Sequence, residues 1–221
     1  MGHAAMAETA VRFLRSRGDS APGTATPEAP AGAVPYNRSR LRAVAAQERA
    51  PVDPVEFRRV LGCFPTGVTV VTSRDADGPA GFACQSFSSL SLDPPLVVFM
   101  VARTSATWPR IARAGVFCVN VLGAEQDVLC RGFAMSGAGG ADKFAGVDHR
   151  PAPVTGSPLL VGARAWVDCT VHAVHPGGDH LIVVGRVAAL GTPEGEGDGP
   201  LVFHRGAFRR LAAASEPTGP A

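Results

Sequence analysis

The chain has 221 residues, of which 46% are hydrophobic and 18% are charged, and its formal net charge is +2. This length suits one domain of ordinary size plus a tail, and the hydrophobic content is sufficient for a buried core. Residues 51–221 carry fourteen basic and fifteen acidic groups, so this part lacks the positive charge typical of nucleic-acid-binding proteins. No apolar run approaches the roughly 20 residues that a membrane-spanning helix needs, so we expect neither nucleic acid nor membrane as a partner.

Residues 1–50 are rich in Ala, Pro, Gly and Ser, with prolines at Pro22, Pro27, Pro30 and Pro35 that interrupt any long helix. This composition predicts a disordered leader. A solvated tail and an arm that packs on a partner subunit are both compatible with it.

The five cysteines are odd in number and have no C-x-x-C spacing. This pattern argues against a disulfide framework and against a zinc site. Cys118 and Cys169 lie within apolar runs, which is typical of core thiols in a reducing compartment. The N-terminus also lacks a signal peptide, so we expect a cytoplasmic protein.

From residue 53 onward the sequence indicates regular structure. Asp53, Pro54 and Glu56 have the arrangement of a helix start, and Gly62 can end that helix. Residues 68–72 are rich in β-branched side chains and predict a strand, followed by a turn at residues 75–78. Residues 96–101 are continuously apolar, which predicts a strand that is buried on both faces.

Further short elements follow. Strands are predicted at residues 116–122, 165–174 and 181–190, with a hairpin turn at residues 176–179 and a short apolar run at residues 201–203. Helices are predicted at residues 106–114 and 124–134, the second with Val128, Leu129 and Phe133 on its inner face. Many short strands, few helices and no regular β-α-β alternation indicate a mainly β domain over residues 51–211, an antiparallel barrel that is closed or nearly so. Residues 212–221 are predicted to be a flexible tail.

Several motifs are absent from the sequence. It contains no G-x-G-x-x-G after a strand, no phosphate-binding G-x-x-x-x-G-K-[ST], no G-x-S-x-G elbow and no His/Cys cluster with metal-ligand spacing. A Rossmann dinucleotide site is therefore not expected, and no metal site is predicted.

The segment at residues 84–91 joins two apolar runs with small polar residues. Gln85 can donate and accept hydrogen bonds, and serines such as Ser86 add hydroxyls of little bulk. Such a loop can bring backbone N–H groups close to a phosphate or to the polar edge of a flavin ring. Taken alone, the residues favour an ordinary Ser-rich turn.

Three single residues, Lys143, His180 and Asp168, each fit either a functional or a purely structural role. Lys143, the sole lysine, fits a phosphate contact or a surface charge, and alone it favours the surface charge. His180 follows a Gly-Gly-Asp turn and fits either a cofactor contact or a hydrogen bond to turn carbonyls. Asp168 on its strand favours a structural role over that of a general base.

Four stretches, at residues 64–72, 81–96, 142–147 and 178–180 with 203–206, together resemble the flavin reductase family. These are FMN-binding split-barrel proteins, the reductase components of two-component flavin-dependent monooxygenases. The likeness covers about residues 54–211. It implies a six-stranded antiparallel Greek-key split barrel with a few short helices, assembled as a homodimer with flavin sites at the subunit interface.

The resemblance also implies site residues. Flavin contacts are expected at Pro79, Ala80, Gly81, Phe82, Ala83, Gln85, Ser86, Met100, Val101, Ala102, Ala106, Thr107 and Phe133. The nicotinamide side is expected at His180, Phe203, His204, Arg205 and Gly206, with His180 as the catalytic candidate in an orienting role. Similar proteins often have Arg directly before the Phe at 133, whereas this chain has Gly132 there and Arg131 one position earlier.

The activity implied is reduction of FAD or FMN by NAD(P)H, with NADH preferred over NADPH, to supply a partner monooxygenase in aromatic or steroid degradation or in antibiotic biosynthesis. Hydride transfer is then the chemistry of the two cofactors. Two alternatives stay open: a flavin- or haem-binding carrier or sensor without reductase activity, and an oxidase of the pyridoxamine-phosphate type. The second is less favoured because the domain offers few basic residues for a substrate phosphate.

Overall fold

The structure, a computed structural model, describes residues 52–135, 142–193 and 199–211. The predicted leader at residues 1–50 and the predicted tail at residues 212–221 lie outside the described residues. The helices are α1 (Pro54–Leu61), α2 (Trp108–Ala114) and α3 (Asp127–Ala134). The strands are β1 (Thr66–Gly67), β2 (Thr69–Asp75), β3 (Gly78–Cys84), β4 (Ser88–Leu92), β5 (Pro95–Ala102), β6 (Val116–Val121), β7 (His149–Pro151), β8 (Pro158–Leu160), β9 (Ala165–Gly177), β10 (His180–Gly191), β11 (Val202–His204) and β12 (Ala207–Arg209).

The main sheet has seven antiparallel strands in the order β3-β2-β6-β9-β10-β5-β4. Six of them, from β3 to β5, form the barrel wall, and β4 adds a seventh strand because the chain turns back after β3 and pairs with β5. The predicted class, a mainly β antiparallel split barrel, is confirmed, although the main sheet has one strand more than the six predicted. Two small sheets, β1-β11-β12 and β7-β8, pack beside it.

The start of α1 follows from local sequence. The Asp53 carboxylate accepts hydrogen bonds from the backbone N–H groups of Val55 at 2.6 Å and Glu56 at 3.2 Å, which caps two otherwise unpaired donors. The predicted N-cap is thus confirmed. No residue of α1 is buried, so its apolar side chains face outward.

Two predictions of burial are wrong. In β5, Val97, Phe99 and Val101 are buried, but Met100 on the opposite face is 41% exposed, because that face borders a cavity. In α3 the predicted burial of Phe133 is confirmed and Leu129 packs against the core, but Val128 is 76% exposed and Cys130 is buried. An eight-residue helix shows too little periodicity for its inner face to be read with certainty.

The barrel core centres on Phe99. Its ring meets Phe117 edge-on at 5.2 Å between centroids and Trp108 at 6.4 Å, geometries that aromatic pairs prefer. Trp108 belongs to α2, so this cluster fixes α2 against the barrel. Among the described residues no helix combines the length and apolar character needed to cross a bilayer.

Candidate functional site

A cavity of about 1000 Å³ lies where the end of β3 approaches β5. We call it the junction cavity. Its walls come from the ends of β3 and β5, the loop before α2, one side of α3, the β11–β12 hairpin and Lys143. The lining residues are Val68, Phe82, Ala83, Cys84, Gln85, Ser86, Met100, Val101, Ala102, Thr104, Ser105, Ala106, Thr107, Cys130, Arg131, Phe133, Ala134, Met135, Lys143, His180, Phe203, Gly206 and Phe208.

Most residues predicted from the resemblance are brought together here. Those that line the cavity are Phe82, Ala83, Gln85, Ser86, Met100, Val101, Ala102, Ala106, Thr107, Phe133, His180, Phe203 and Gly206. Five other predicted contacts do not line it: Pro79, Ala80, Gly81, His204 and Arg205. Segments separated by more than a hundred residues therefore meet at one site.

Gly81 does not line the cavity, but it packs against Phe133, which does. A Cβ at this position would lie 2.9 Å from the Phe133 ring and 3.1 Å from the carbonyl oxygen of Val71. Glycine is therefore required for β3 and α3 to pack this closely. The Phe133 ring packs against Gly81 and also lines the cavity.

Arg205 takes part in a different contact. With Gly206 it forms the two-residue turn between β11 and β12, and both have positive φ, 49° and 76°. The Arg205 backbone N–H donates to the carbonyl of Gly62 at 2.9 Å, and its guanidinium contacts Cys63 Sγ at 3.7 Å. The Arg205 side chain thus joins the hairpin to the end of α1.

The wall near β3 and β5 is mainly uncharged. Phe82 and Ala83 are half-buried, and Gln85 and Met100 are exposed to the cavity. Within the described part of the chain, the Gln85 amide makes no hydrogen bond to other side chains or to backbone groups. It is therefore available to donate to or accept from a polar ring edge.

The opposite wall is cationic. Lys143 Nζ donates to the carbonyl oxygen of Phe133 at 3.0 Å, and burial lowers the Lys143 pKa. Arg131 holds its guanidinium 4.9 Å from the centre of the Phe208 ring, a cation–π contact. Asp127 Oδ2 lies 3.9 Å from Arg131 Nε, so the Arg131 charge is partly balanced. None of the described residues that line the cavity is Asp or Glu, so the two cations still suit an anionic group such as a phosphate.

His180, the first residue of β10, lines the cavity. Its Nδ1 lies 2.8 Å from the Asp179 carboxylate, and its side chain is 46% exposed. The hydrogen bond from His180, together with its charge, lowers the Asp179 pKa. This contact fixes the orientation of the imidazole, with Nε2 free to meet a ligand.

The resemblance did not indicate several lining residues, among them Thr104, Ser105, Met135 and Phe208. They belong to short loops and to the small β1-β11-β12 sheet, whose position depends on tertiary contacts. Lys143 did carry a signal, since it is the sole lysine and lies in one of the four stretches. Among the described residues, no group of three or more His, Cys, Asp or Glu side chains could hold a metal ion.

The arrangement fits a flavin. The volume of the junction cavity lies at the upper end of the range for ligand pockets, ~300–1,000 Å³. The apolar wall with the Gln85 amide suits a planar ring with a polar edge, and the cationic wall suits the phosphate end.

Comparison with known proteins decides the family. The protein-family model of the flavin reductase like domain matches residues 61–212 of this chain. The chain belongs to the flavin reductase family. The reductase subunit HsaB of a flavin-dependent monooxygenase from Rhodococcus jostii is 49% identical over 166 residues, 75% of this chain and 80% of that protein. An NADH-dependent FAD reductase from Streptomyces globisporus is 42% identical over 164 residues, 73% of this chain and 88% of that protein.

Solved structures agree with this assignment. The crystal structure of a nitrilotriacetate monooxygenase component B homologue from Mycobacterium thermoresistibile superposes with a TM-score of 0.68 at 46% identity, covering 76% of this chain and 90% of that one. The four sequence stretches predicted the family and the fold of this flavin reductase, and both predictions are therefore confirmed.

Proposed function

We propose that this chain is an NADH-dependent flavin reductase that supplies reduced FAD or FMN to a partner flavin-dependent monooxygenase. The observation that carries the proposal is the junction cavity, which combines a mainly uncharged wall with the cations of Lys143 and Arg131 in a member of the flavin reductase family. The names of the relatives support the NADH and flavin specificity and the monooxygenase partner.

A flavin held in this cavity would supply the redox chemistry, the acceptance of a hydride from NADH. The protein binds and orients the reactants and keeps water from the reacting face. Phe82 and Ala83 provide the surface against the ring, and the Gln85 amide meets its polar edge. Lys143 and Arg131 hold the phosphate end.

His180 and the β11–β12 hairpin form the nicotinamide side in this proposal. His180 is hydrogen-bonded to Asp179 and lines the junction cavity together with Phe203 and Gly206. His180 acts as an orienting group, since hydride transfer between the two rings requires no protein nucleophile.

We also propose that the chain works as a homodimer. The edge strand β4 exposes Leu90 at 51% and Leu92 at 94%, and α1 exposes Val55 at 73% and Phe57 at 55%. Exposed apolar side chains on an unpaired strand edge favour association with another chain. A cytoplasmic location is part of the proposal, supported by the four buried cysteines that remain free thiols.

The direct test mixes purified protein with NADH and FAD, FMN or riboflavin and follows loss of the nicotinamide absorbance. Reduced flavin is measured anaerobically by bleaching of the flavin band. We expect turnover with NADH well above the reaction without enzyme, and slower turnover with NADPH. Tight flavin binding with no NADH oxidation would instead favour the carrier or sensor alternative and would refute the reductase function.

A further inference from the structure

We infer that Ser86 is a positioning residue whose hydroxyl joins the loop after β3 to β5 and so holds Gln85, the side chain that meets the ring edge, in place. This inference rests on the proposed function and deepens it, because it assigns different roles to two adjacent residues of one loop.

The Ser86 hydroxyl contacts both backbone groups of Met100. It donates to the Met100 carbonyl oxygen at 3.0 Å and accepts from the Met100 N–H at 2.9 Å. Fourteen residues separate the two along the chain, so these bonds connect distant segments of the barrel. Unpaired backbone groups of a strand beside a cavity are unfavourable, and the hydroxyl satisfies both.

A third partner completes the set. The Cys84 Sγ lies 3.3 Å from Ser86 Oγ. A serine hydroxyl has one hydrogen and two lone pairs. Either group can be the donor in this contact, and the Cys84 thiol also lies 3.9 Å from the Met100 carbonyl oxygen. With Cys84 and both backbone groups of Met100 as neighbours, the hydroxyl is engaged within the protein.

The strand register explains why a side chain occupies this place. In the β4–β5 pair, Ser88 is opposite Val98 and Ser89 is opposite Val97. Continued back by two residues, this register places Ser86 opposite Met100, just before β4 begins. The hydroxyl therefore extends the ladder by one step and holds the loop that carries Gln85 against β5.

Gln85 and Met100 both line the junction cavity, so the Ser86 hydroxyl fixes the distance between two parts of its wall. Without it, the Gln85 loop can move away from β5. Loss of the hydroxyl should thus weaken flavin binding and leave the turnover of bound flavin nearly unchanged.

The test compares Ser86→Ala, Ser86→Thr and Ser88→Ala. Ser88 is the matched control, because its hydroxyl contacts only the adjacent Ser89 carbonyl at 3.1 Å and it does not line the cavity. We expect Ser86→Ala to raise the flavin KM and Kd about tenfold, as for the loss of more than one hydrogen bond, with kcat at saturating flavin within about twofold. Ser86→Thr should restore most of the affinity, and Ser88→Ala should match the wild type.

Amide hydrogen exchange gives a readout that needs neither flavin nor NADH. The Met100 N–H should exchange slowly in the wild type and in Ser86→Thr, and much faster in Ser86→Ala. Equal protection in Ser86→Ala, or a loss of kcat at unchanged flavin KM, would overturn the inference. Failure of the wild type to oxidise NADH would refute the proposed function while leaving the exchange result to decide the role of Ser86. If Ser86→Ala does not fold, Ser86→Cys, which keeps a weaker donor and acceptor, takes its place with an intermediate effect expected.

Discussion

Lys143 Nζ lies 3.0 Å from the carbonyl oxygen of Phe133, in the last turn of α3. A cation at the C-terminal end of a helix is favoured by the unpaired carbonyls there. The same ammonium group faces the junction cavity, and none of the described residues that line it carries a carboxylate. One side chain therefore stabilises the helix end and offers its charge to a ligand.

We predict that Lys143→Met weakens binding of flavins that carry phosphate. Methionine keeps the apolar stem and removes the charge, so the KM for FMN and FAD should rise about tenfold or more, as for a lost charge-assisted hydrogen bond. The KM for riboflavin, which has no phosphate, should stay within about twofold of the wild-type value. Steady-state kinetics with the three flavins measures this difference.

Arg150→Ala is the control for Lys143→Met, because Arg150 is exposed on β7 and does not line the junction cavity. It should leave all three flavin KM values unchanged. An equal rise for riboflavin and FMN in Lys143→Met would mean that the lysine supports the fold of the site and does not hold the phosphate.

A second prediction concerns the close packing of Gly81 on Phe133. Gly81→Ala should place a methyl group 2.9 Å from the Phe133 ring, so the ring or β3 must shift. Overpacking of this kind costs about 1–3 kcal/mol, and we expect a lower melting temperature together with a raised flavin KM. Differential scanning fluorimetry and kinetics measure the two effects.

Gly132→Ala is the matched control for Gly81→Ala. Among the described residues, a Cβ at Gly132 meets nothing within 4 Å, and alanine is favoured over glycine within a helix by up to about 1 kcal/mol. This variant should be as stable as the wild type or more so. If Gly81→Ala behaves like Gly132→Ala, the close approach of β3 and α3 does not constrain the site.

The sequence alone predicts the contacts of some residues and not those of others. The Asp53 cap could be predicted because donor and acceptor lie within three residues. The exposed face of β5 could not, since a continuous apolar run does not reveal which face borders a cavity. The bonds of Ser86 to Met100 depend on how β3 and β5 approach each other, and the position of Lys143 depends on α3. The family resemblance supplied most of the lining residues, but local patterns alone favoured an ordinary turn and a surface charge.

The third prediction concerns Asp75, whose carboxylate accepts from Arg110 Nη2 at 2.6 Å and Nε at 3.1 Å, and from Arg113 at 3.3 Å. These bonds tie α2 to the end of β2. The hydrogen bond from Arg110, with its charge, lowers the Asp75 pKa. A lowered folded-state pKa gives stability that is present above the unfolded pKa of about 3.9 and is lost as pH falls through the folded value.

Asp75→Asn should therefore lower the free energy of unfolding by about 1–3 kcal/mol at neutral pH, and the difference from the wild type should shrink in acid below about pH 4. Urea denaturation across pH measures it. Asp77→Asn is the control, since Asp77 is 77% exposed and lies 3.9 Å from Arg113. A difference for Asp75→Asn that stays constant with pH would contradict the charge-based explanation.

The fourth prediction tests the homodimer through the exposed edge of β4. Leu92→Asp, at a side chain that is 94% exposed, removes apolar area and adds a charge that is unfavourable in a buried interface. We expect the wild type to elute as a dimer and the variant to dissociate in size-exclusion chromatography with light scattering. Leu190→Asp, also exposed at 67% but on β10, is the comparison and should not change the mass. A monomeric wild type would refute the homodimer.

The last prediction separates the two sides of the junction cavity. His180→Ala should raise the KM for NADH about tenfold, consistent with loss of one orienting hydrogen bond and its surface, while the flavin KM changes little. Asp179→Ala should cause part of the same effect, because the imidazole loses the partner that fixes its orientation at 2.8 Å. Asp179→Asn keeps an acceptor oxygen for Nδ1 and should behave like the wild type. Kinetics with NADH varied at saturating flavin, and then flavin varied at saturating NADH, measure each KM separately. A rise confined to the flavin KM would place His180 on the flavin side and leave the β11–β12 hairpin to position the nicotinamide.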